Sequence, residues 1–469
     1  MLKDFFLKKT IENFGYEPTE EQKFALNLFA EFLFDSSKQV FILNGYAGTG
    51  KTTFIKSIVN TLDEFRYSYV LLAPTGRAAK VLSNFCRANS YTIHKFIYKQ
   101  KSSTDFRFVL NFQSIKNTIF FVDEASLISN DFTESNIFGS GRLLDDLLEY
   151  VFAYNSNKLV LIGDTAQLPP VGASHHPALD QKNFEQLSFN VCYVTLKEVV
   201  RQHHESHVLI NATKLRNNII ETINELPIFT FSTNEFEYVE SIDLLETISA
   251  SYRNVGLSET IILTYSNKRA LQINRTVRDR ILGYDEEVVN GECLMVVKNN
   301  YMSLPDELPF SFIANGEIIH IHKILKEKNM YDFRFLKTIV KLSDFPDIEL
   351  DCFLLLDTLH SEYPSLSKEQ NDKLFNNILE DYKDIKNKKK QIQLIRENEY
   401  FKAIQVKYAY AVTAHKAQGG QWKHVYIDAS FLNYNEIRPE ILKWFYTAIT
   451  RATEKVYIFG LPSKYVDKF

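Results

Sequence analysis

Short apolar runs recur along the front of the chain, each closing on a polar or glycine-bearing edge: QVFILNG, SYVLLAPTG, TIFFVDEAS and KLVLIGDTAQ. Segments such as FILN and VLLA are apolar on both faces, the pattern of strands buried in a parallel sheet. Between them the period changes. After the first glycine loop Ile55, Ile58, Val59 and Leu62 fall at i, i+3, i+4 and i+7, one face of a helix. Strand–loop–helix alternation predicts an α/β sheet with its chemistry at the carboxyl ends of the strands. A second series, TIILTYSN, AYAVTAHKAQGG, HVYIDAS and KVYIFG, follows a polar stretch at 205–258 and predicts a second domain on the same plan. Residues 291–404 interrupt it: β-like pieces (CLMVVKNNY, NGEIIHIHKI) run into a charged segment, SLSKEQNDKLFNNILEDYKDIKNKKKQIQLIRENEYF. This predicts a small β-rich, barrel-like insertion followed by an exposed helix. The resulting division is 1–204 for the first domain, 205–290 with 405–469 for the second, and 291–404 for the insertion.

Composition changes this picture little. A length of 469 residues exceeds what one core supports and implies roughly two to four domains. Hydrophobic content of 45%, charged content of 24% and a net charge of −4 describe an ordinary globular chain. They do not mark a nucleic-acid binder, nor do they exclude a groove where basic charge is concentrated. Cys86, Cys192, Cys293 and Cys352 are far apart with no C-x-x-C pair, so neither zinc nor a disulfide framework is predicted. MLKDFFLKKTIENF lacks a sustained apolar run, and no stretch reaches the roughly 18 apolar residues of a membrane span. A cytoplasmic, membrane-free protein is the expectation. The histidine pairs at 175–176 and 203–204 lack further ligands at useful spacing, and the Lys386–Lys390 run reads as a solvated helix face.

Candidate chemistry begins at Gly45-Tyr-Ala-Gly-Thr-Gly50-Lys51-Thr52, which fits G-x-x-x-x-G-K-[ST] between a strand and a helix. Gly45, Ala47, Gly48, Thr49, Gly50, Lys51, Thr52 and Thr53 are read as the nucleotide cradle, with amides and a helix N-terminus facing phosphate. Lys51 reaches the β/γ oxygens, and the Thr52 hydroxyl is a ligand for Mg²⁺. At Phe120-Phe-Val-Asp123-Glu124 a second acidic residue follows the first. Asp123 suits the metal's water shell and Glu124 suits polarising an attacking water, which together favour ATP hydrolysis. Gly163-Asp164-Thr-Ala-Gln167-Leu-Pro169-Pro170 presents a glutamine on a proline-stiffened turn, suited to sensing the γ-phosphate.

The ordered set GYAGTGKTT, APTGRAAKVL, TIHKF, FFVDEAS, GDTAQLPPV, VVRQ, TAHKAQGGQ and YTAITRA resembles the superfamily-1 DNA helicases, in particular the RecD/Dda-like branch. The resemblance runs from about residue 16 to 460, with the insertion matched weakly. It implies two RecA-like motor domains, ATP with Mg²⁺ as cofactors, and single-stranded and tailed duplex DNA as partners, with movement 5′ to 3′. It further implies that Gln22 reads adenine and that Arg201 and Arg451 converge on the γ-phosphate. It assigns Gly419 to the nucleotide, and Pro74, Thr75, Thr92, His94, Thr413, His415 and Lys416 to the DNA backbone. Where many relatives carry Gly-x-Glu, this chain has Gly419-Gly420-Gln421, an amide that keeps a ribose hydrogen bond and loses the charge. YKQKSSTDFRFVLNFQ, residues 98–113, reads as a β-hairpin; in the family a hairpin at this place is the pin that splits the duplex. Two other readings compete: a single-strand translocase or nuclease-complex subunit that does not unwind alone, and a nucleotide-gated DNA-binding switch. Glu124, Gln167 and both arginines argue against the switch, which needs no hydrolytic set.

Overall fold

The computed structural model describes residues 2–102, 105–132, 138–200, 206–300, 308, 312–343, 345–433 and 436–466. They form two compact units. The first comprises Met1–Thr230 together with two returning pieces, Gln418–Gly420 and Ile437–Thr450; the second comprises Phe231–Ala417, Gln421–Glu436 and Arg451–Phe469.

The first unit is built on a six-stranded sheet. Its strands run Ser90–Thr92, Ser68–Ala73, Thr118–Val122, Lys158–Gly163, Val40–Gly45 and Val191–Leu196 across the sheet, and every pairing is parallel. Val40–Gly45 and Thr118–Val122 are buried at every position, as runs apolar on both faces require. Because Val40–Gly45 lies beside Lys158–Gly163, and that strand beside Thr118–Val122, the three loops read as chemical leave neighbouring strands at one edge. Behind them packs a phenylalanine cluster. Phe29, fully buried, has its ring centroid 5.5 Å from Phe41, 6.1 Å from Phe54 and 6.0 Å from Phe121. Phe54 belongs to the helix Lys51–Glu64, so the same rings that fill the core hold the helix whose first turn carries the cradle. A two-stranded hairpin, Tyr98–Ser102 with Asp105–Leu110, leaves this unit. The Tyr98 hydroxyl anchors it, donating to the buried Asp146 carboxylate at 2.5 Å. The Phe138 ring stacks against Phe108 at 4.7 Å and Tyr98 at 4.9 Å. Phe108 is therefore committed to the hairpin's footing.

In the second unit a five-stranded parallel sheet orders Ala411–Thr413, Thr260–Thr264, Trp422–Asp428, Ala452–Phe459 and Phe236–Val239. A closed barrel of Cys293–Val296, Ile318–Met330, Phe333–Leu342, Phe345–Leu355 and Ile404–Tyr408 is inserted into it. Two helices, Lys368–Glu380 and Lys388–Glu397, interrupt the barrel before its last strand, where the sequence suggested a single exposed helix. They are not simply solvated: Leu374, Ile378 and Ile395 bury against Phe335, Phe353 and Tyr400. At the barrel's root Arg278 donates to Glu292 at 2.9–3.2 Å, and the Tyr410 hydroxyl donates to the same carboxylate at 2.8 Å.

Phe29→Ala should destabilise the first unit by about 3–5 kcal/mol, the cost of emptying a buried aromatic site that helix and sheet cannot close. Urea denaturation of variant and parent measures it; a loss below about 1 kcal/mol would show that the ring cluster repacks and does not brace the cradle helix.

Candidate functional site

The cradle loop lies where Val40–Gly45 passes into the helix Lys51–Glu64. Gly50 caps that helix at φ 85°, and a Cβ there would stand 2.6 Å from the Gln22 amide nitrogen, so no other residue fits without displacing Gln22. The Lys51 ammonium donates to the Gly45 carbonyl at 2.6 Å and the Tyr46 carbonyl at 3.2 Å, lying within the loop's curve. Thr49 is buried, its hydroxyl donating to the Tyr46 carbonyl at 2.8 Å. Gln22 is buried and engaged at both ends of its amide. Its oxygen accepts from the Thr19 N–H at 2.9 Å in a capping box, and its nitrogen donates to the Thr49 carbonyl at 2.9 Å. One donor and one acceptor site remain for an adenine edge.

Thr118–Val122 ends on the acidic pair. Glu124 sits in the left-handed region at φ 52°, which costs a residue with a Cβ on the order of 1 kcal/mol or more and is concentrated at functional sites. The turn brings the Glu124 N–H to the Asp123 carboxylate at 2.9 Å. Burial, then the neighbouring Glu124 carboxylate, push Asp123 well above the usual carboxylate range. Two adjacent half-buried carboxylates suit a divalent cation, which lowers the cost of ionising both. The third loop follows Lys158–Gly163. Asp164 is fully buried, its carboxylate accepting from the Ala166 N–H at 2.9 Å, and Thr165 donates to the Asn44 side chain at 3.1 Å. Gln167 is 3% exposed, and its side-chain oxygen finds no hydrogen-bond partner among the described residues. An orphaned buried acceptor costs about 1–3 kcal/mol, which a site waiting for a donor tolerates.

The residues assigned to DNA divide between the units. In the first, Thr75 caps the helix Gly76–Cys86 by accepting from Ala78 at 3.2 Å, next to half-buried Pro74. Thr92 caps Ile93–Ile97 by accepting from Lys95 at 3.2 Å. Each hydroxyl keeps its proton for a further acceptor. Gly419 lies here too: at φ +74° a Cβ would come 2.9 Å from the Thr75 hydroxyl, so it sits among the residues read for DNA. His94 faces Phe138 at 4.9 Å, and burial holds its imidazole down to about 4, so at neutral pH it carries no charge to a phosphate. In the second unit Thr413 is buried, His415 exposed, and Lys416 lines a small cavity with Asn267, Asn274 and Lys407. Burial lowers both ammonium groups to about 8. Arg451 is buried in this unit, its carbonyl accepting from Trp422 at 2.9 Å. Arg201 lies outside the described residues.

Three residues at the first site escaped the sequence reading. Tyr446, on the returning helix Pro439–Ile449, bonds the cradle directly: its oxygen accepts from the Ala47 N–H at 2.8 Å. It stands in the motif YTAITRA, where the arginine drew the attention. Arg216 stacks on the Tyr46 ring at 4.9 Å, with no signal beyond an ordinary helical pattern. His176 joins two loops, its Nδ1–H donating to the Ser126 carbonyl at 3.1 Å, and burial lowers it to about 4. The histidine pair to which it belongs was weighed only for metal. Among the described residues no group of three or more ligands could hold a metal by itself.

Comparison with known proteins places these motifs. A family model described as an AAA domain matches residues 19–226, and one described as a UvrD-like helicase C-terminal domain matches 408–459. The chain is 25% identical to the ATP-dependent DNA helicase dda of Enterobacteria phage T4, over 65% of this chain and 67% of that protein. It is 21% identical to the RecBCD enzyme subunit RecD of Buchnera aphidicola, over 90% of this chain and 70% of the other. Uncharacterized protein R530 of Acanthamoeba polyphaga mimivirus is 24% identical across 93% of this chain and 98% of its own length. Among solved structures, a Pif1 helicase from Bacteroides aligns over 96% of this chain and 95% of its own at 15% identity and a TM-score of 0.44.

Half-buried His94 and buried His176 set a pH dependence. Each has a folded pKa near 4 against about 6.5 for the free group, so the unfolded chain binds more protons between those values. Stability should therefore fall as pH drops from about 6.5 towards 4. His176→Gln should flatten that slope by up to about 1.4 kcal/mol per pH unit. Denaturation midpoints at several pH values check it; an unchanged slope would mean His176 is protonated in the fold.

Proposed function

From a chain that belongs to the superfamily-1 helicases of the RecD/Dda type, we infer an ATP-driven motor that moves 5′ to 3′ on single-stranded DNA and separates tailed duplexes. One observation carries the reading: a phosphate cradle, an acidic pair and a buried glutamine leave three adjacent parallel strands at one edge. A switch that only binds nucleotide needs the first of these; a hydrolase needs all three.

The loop amides and the N-terminus of Lys51–Glu64 receive the phosphates, and Lys51 exchanges its carbonyl partners for β/γ oxygens. Thr52 and Asp123 would hold Mg²⁺, which when bound neutralises charge on the phosphates. Glu124, fixed by its strained turn, orients and deprotonates the attacking water. Gln167 is assigned the γ-phosphate, to which its amide nitrogen can donate, while its amide oxygen, without a hydrogen-bond partner among the described residues, stays open to a donor such as water. Arg451 is assigned the transition-state charge, and Arg201 the ground-state phosphate, by the motif pattern. Thr75, Thr92, Thr413 and Lys416 grip the DNA backbone without reading sequence, as a tracking motor requires. No helix among the described residues is long and apolar enough to cross a membrane.

Lys51→Ala should abolish ATP hydrolysis. Glu124→Gln should retain nucleotide binding while turnover falls by roughly 10²–10⁴-fold, since it removes a general base and leaves the metal ligand. Nucleotide affinity and DNA-stimulated turnover, measured on both, test the assignment; near-parental turnover in Glu124→Gln would remove it from the base role.

Unwinding needs more than tracking, because each base-pair step stacks by about 1.4 kcal/mol. Replacing residues 101–107 by a two-residue turn should abolish strand separation on a 5′-tailed duplex and leave DNA-stimulated ATPase intact. The anchors Tyr98 and Phe108 lie outside the deletion. Parental unwinding in this variant would place the wedge elsewhere, and the barrel becomes the next candidate.

A further inference from the structure

Tyr446 ties the cradle to the glutamine loop through a single hydroxyl. That oxygen accepts from the Ala47 N–H at 2.8 Å and gives its own proton to the Asp164 carboxylate at 2.7 Å. A phenol has one donor, so the direction of both bonds is fixed. Donation to a buried carboxylate draws negative character onto the phenol oxygen, and the Ala47 N–H thus meets an acceptor resembling a phosphate oxygen. Tyr446 is 1% exposed and Asp164 fully buried, so water does not compete.

The connection continues into the loop that carries Gln167. The other Asp164 oxygen accepts from Ala166. On the far side the Leu168 N–H donates to the Thr447 hydroxyl at 2.8 Å, and the Leu168 carbonyl accepts from the Gln418 side chain at 2.7 Å. Gln167 is thus held at both chain neighbours by bonds that begin at Tyr446 and Thr447, consecutive residues of the helix Pro439–Ile449.

We propose that Tyr446 is a positioning residue that couples the phosphate cradle to Gln167. Ala47 N–H has one bond to give, either to Tyr446 or to nucleotide. Taking it for nucleotide releases the tyrosine hydroxyl and changes what holds Asp164, so the occupancy of the cradle reaches the glutamine loop and the returning helix. The inference rests on the hydrolytic reading above, but the contacts lie wholly within the first unit.

Tyr446→Phe removes the hydroxyl and keeps the ring. We expect it to lower kcat for ATP on the order of ten-fold with KM changed much less, the pattern of a displaced group that acts after binding. Asp164→Asn should do the same, and the double variant should lose no more than the worse single one. Thr447→Val, which removes the acceptor of the Leu168 bond, should reproduce the split of kcat from KM and serves if Tyr446→Phe fails to fold, as thermal melts would reveal. Parental kcat in Tyr446→Phe, or losses that multiply in the double variant, would overturn the coupling. Turnover is measured with and without single-stranded DNA. A parent indifferent to DNA would sink the helicase reading, while basal kcat across the same variants still decides the coupling.

Discussion

Parallel pairing between Val40–Gly45 and Lys158–Gly163 is the constraint on which the rest of the first unit depends. Parallel strands end at the same edge, so Asn44 standing opposite Gly163 puts the cradle and the glutamine loop side by side. Antiparallel pairing would send them to opposite edges, and neither the Asn44–Thr165 bond nor the Tyr446 bridge could form. Both strands are buried along nearly their whole length, and pulling their apolar runs out of that core makes the register expensive to slip. The phenylalanine cluster then fixes the helix whose first turn is the cradle. Core packing and chemistry share residues here: Phe54 follows Thr52 by two positions and serves the first purpose while its neighbour serves the second.

Much of this was legible because phosphate chemistry demands particular residues at particular spacings. The strand–glycine loop–helix run, the acidic pair and the Pro-Pro turn each carry their mechanism in the local sequence, and the continuous apolar runs marked the sheets. Less legible were contacts that local spacing cannot encode. Gln22 was readable as a ligand for adenine, yet its capping box with Thr19 shows that the same amide also shapes the helix start. Thr75 and Thr92 similarly cap helices. The insertion was legible as β-rich and barrel-like, but the extent of its strands was not, because Ile318–Met330 is largely exposed and lysine-rich and shows little alternation. The strand Phe236–Val239 was absorbed into a polar stretch, being four residues long with two of them half-buried. Nothing in the segment around Phe108 signals Phe138, the ring it packs against at a tilt.

The second unit follows a different economy. Its sheet strands carry more charge than those of the first, and the junction with the barrel is ionic. Arg278, Glu292 and Tyr410 form a buried group in which each charge is met by a hydrogen bond, and the guanidinium also lies over the Tyr408 ring at 4.5 Å. Such a group adds little net stability over apolar packing but is costly to break singly. It fixes the direction in which the barrel leaves the sheet, where an oily joint would tolerate several.

The bond between Ala47 and Tyr446 spans 399 positions of the chain. A ribosome adding roughly 5–20 residues per second takes some tens of seconds between the two. Once Gln167 has been added, the nascent first unit possesses its cradle, acidic pair and glutamine for the rest of that interval, but not the segments that hold the glutamine loop in place. The clamp on the glutamine loop thus forms only after the helix Pro439–Ile449 has been made, long after the strands and loops it holds.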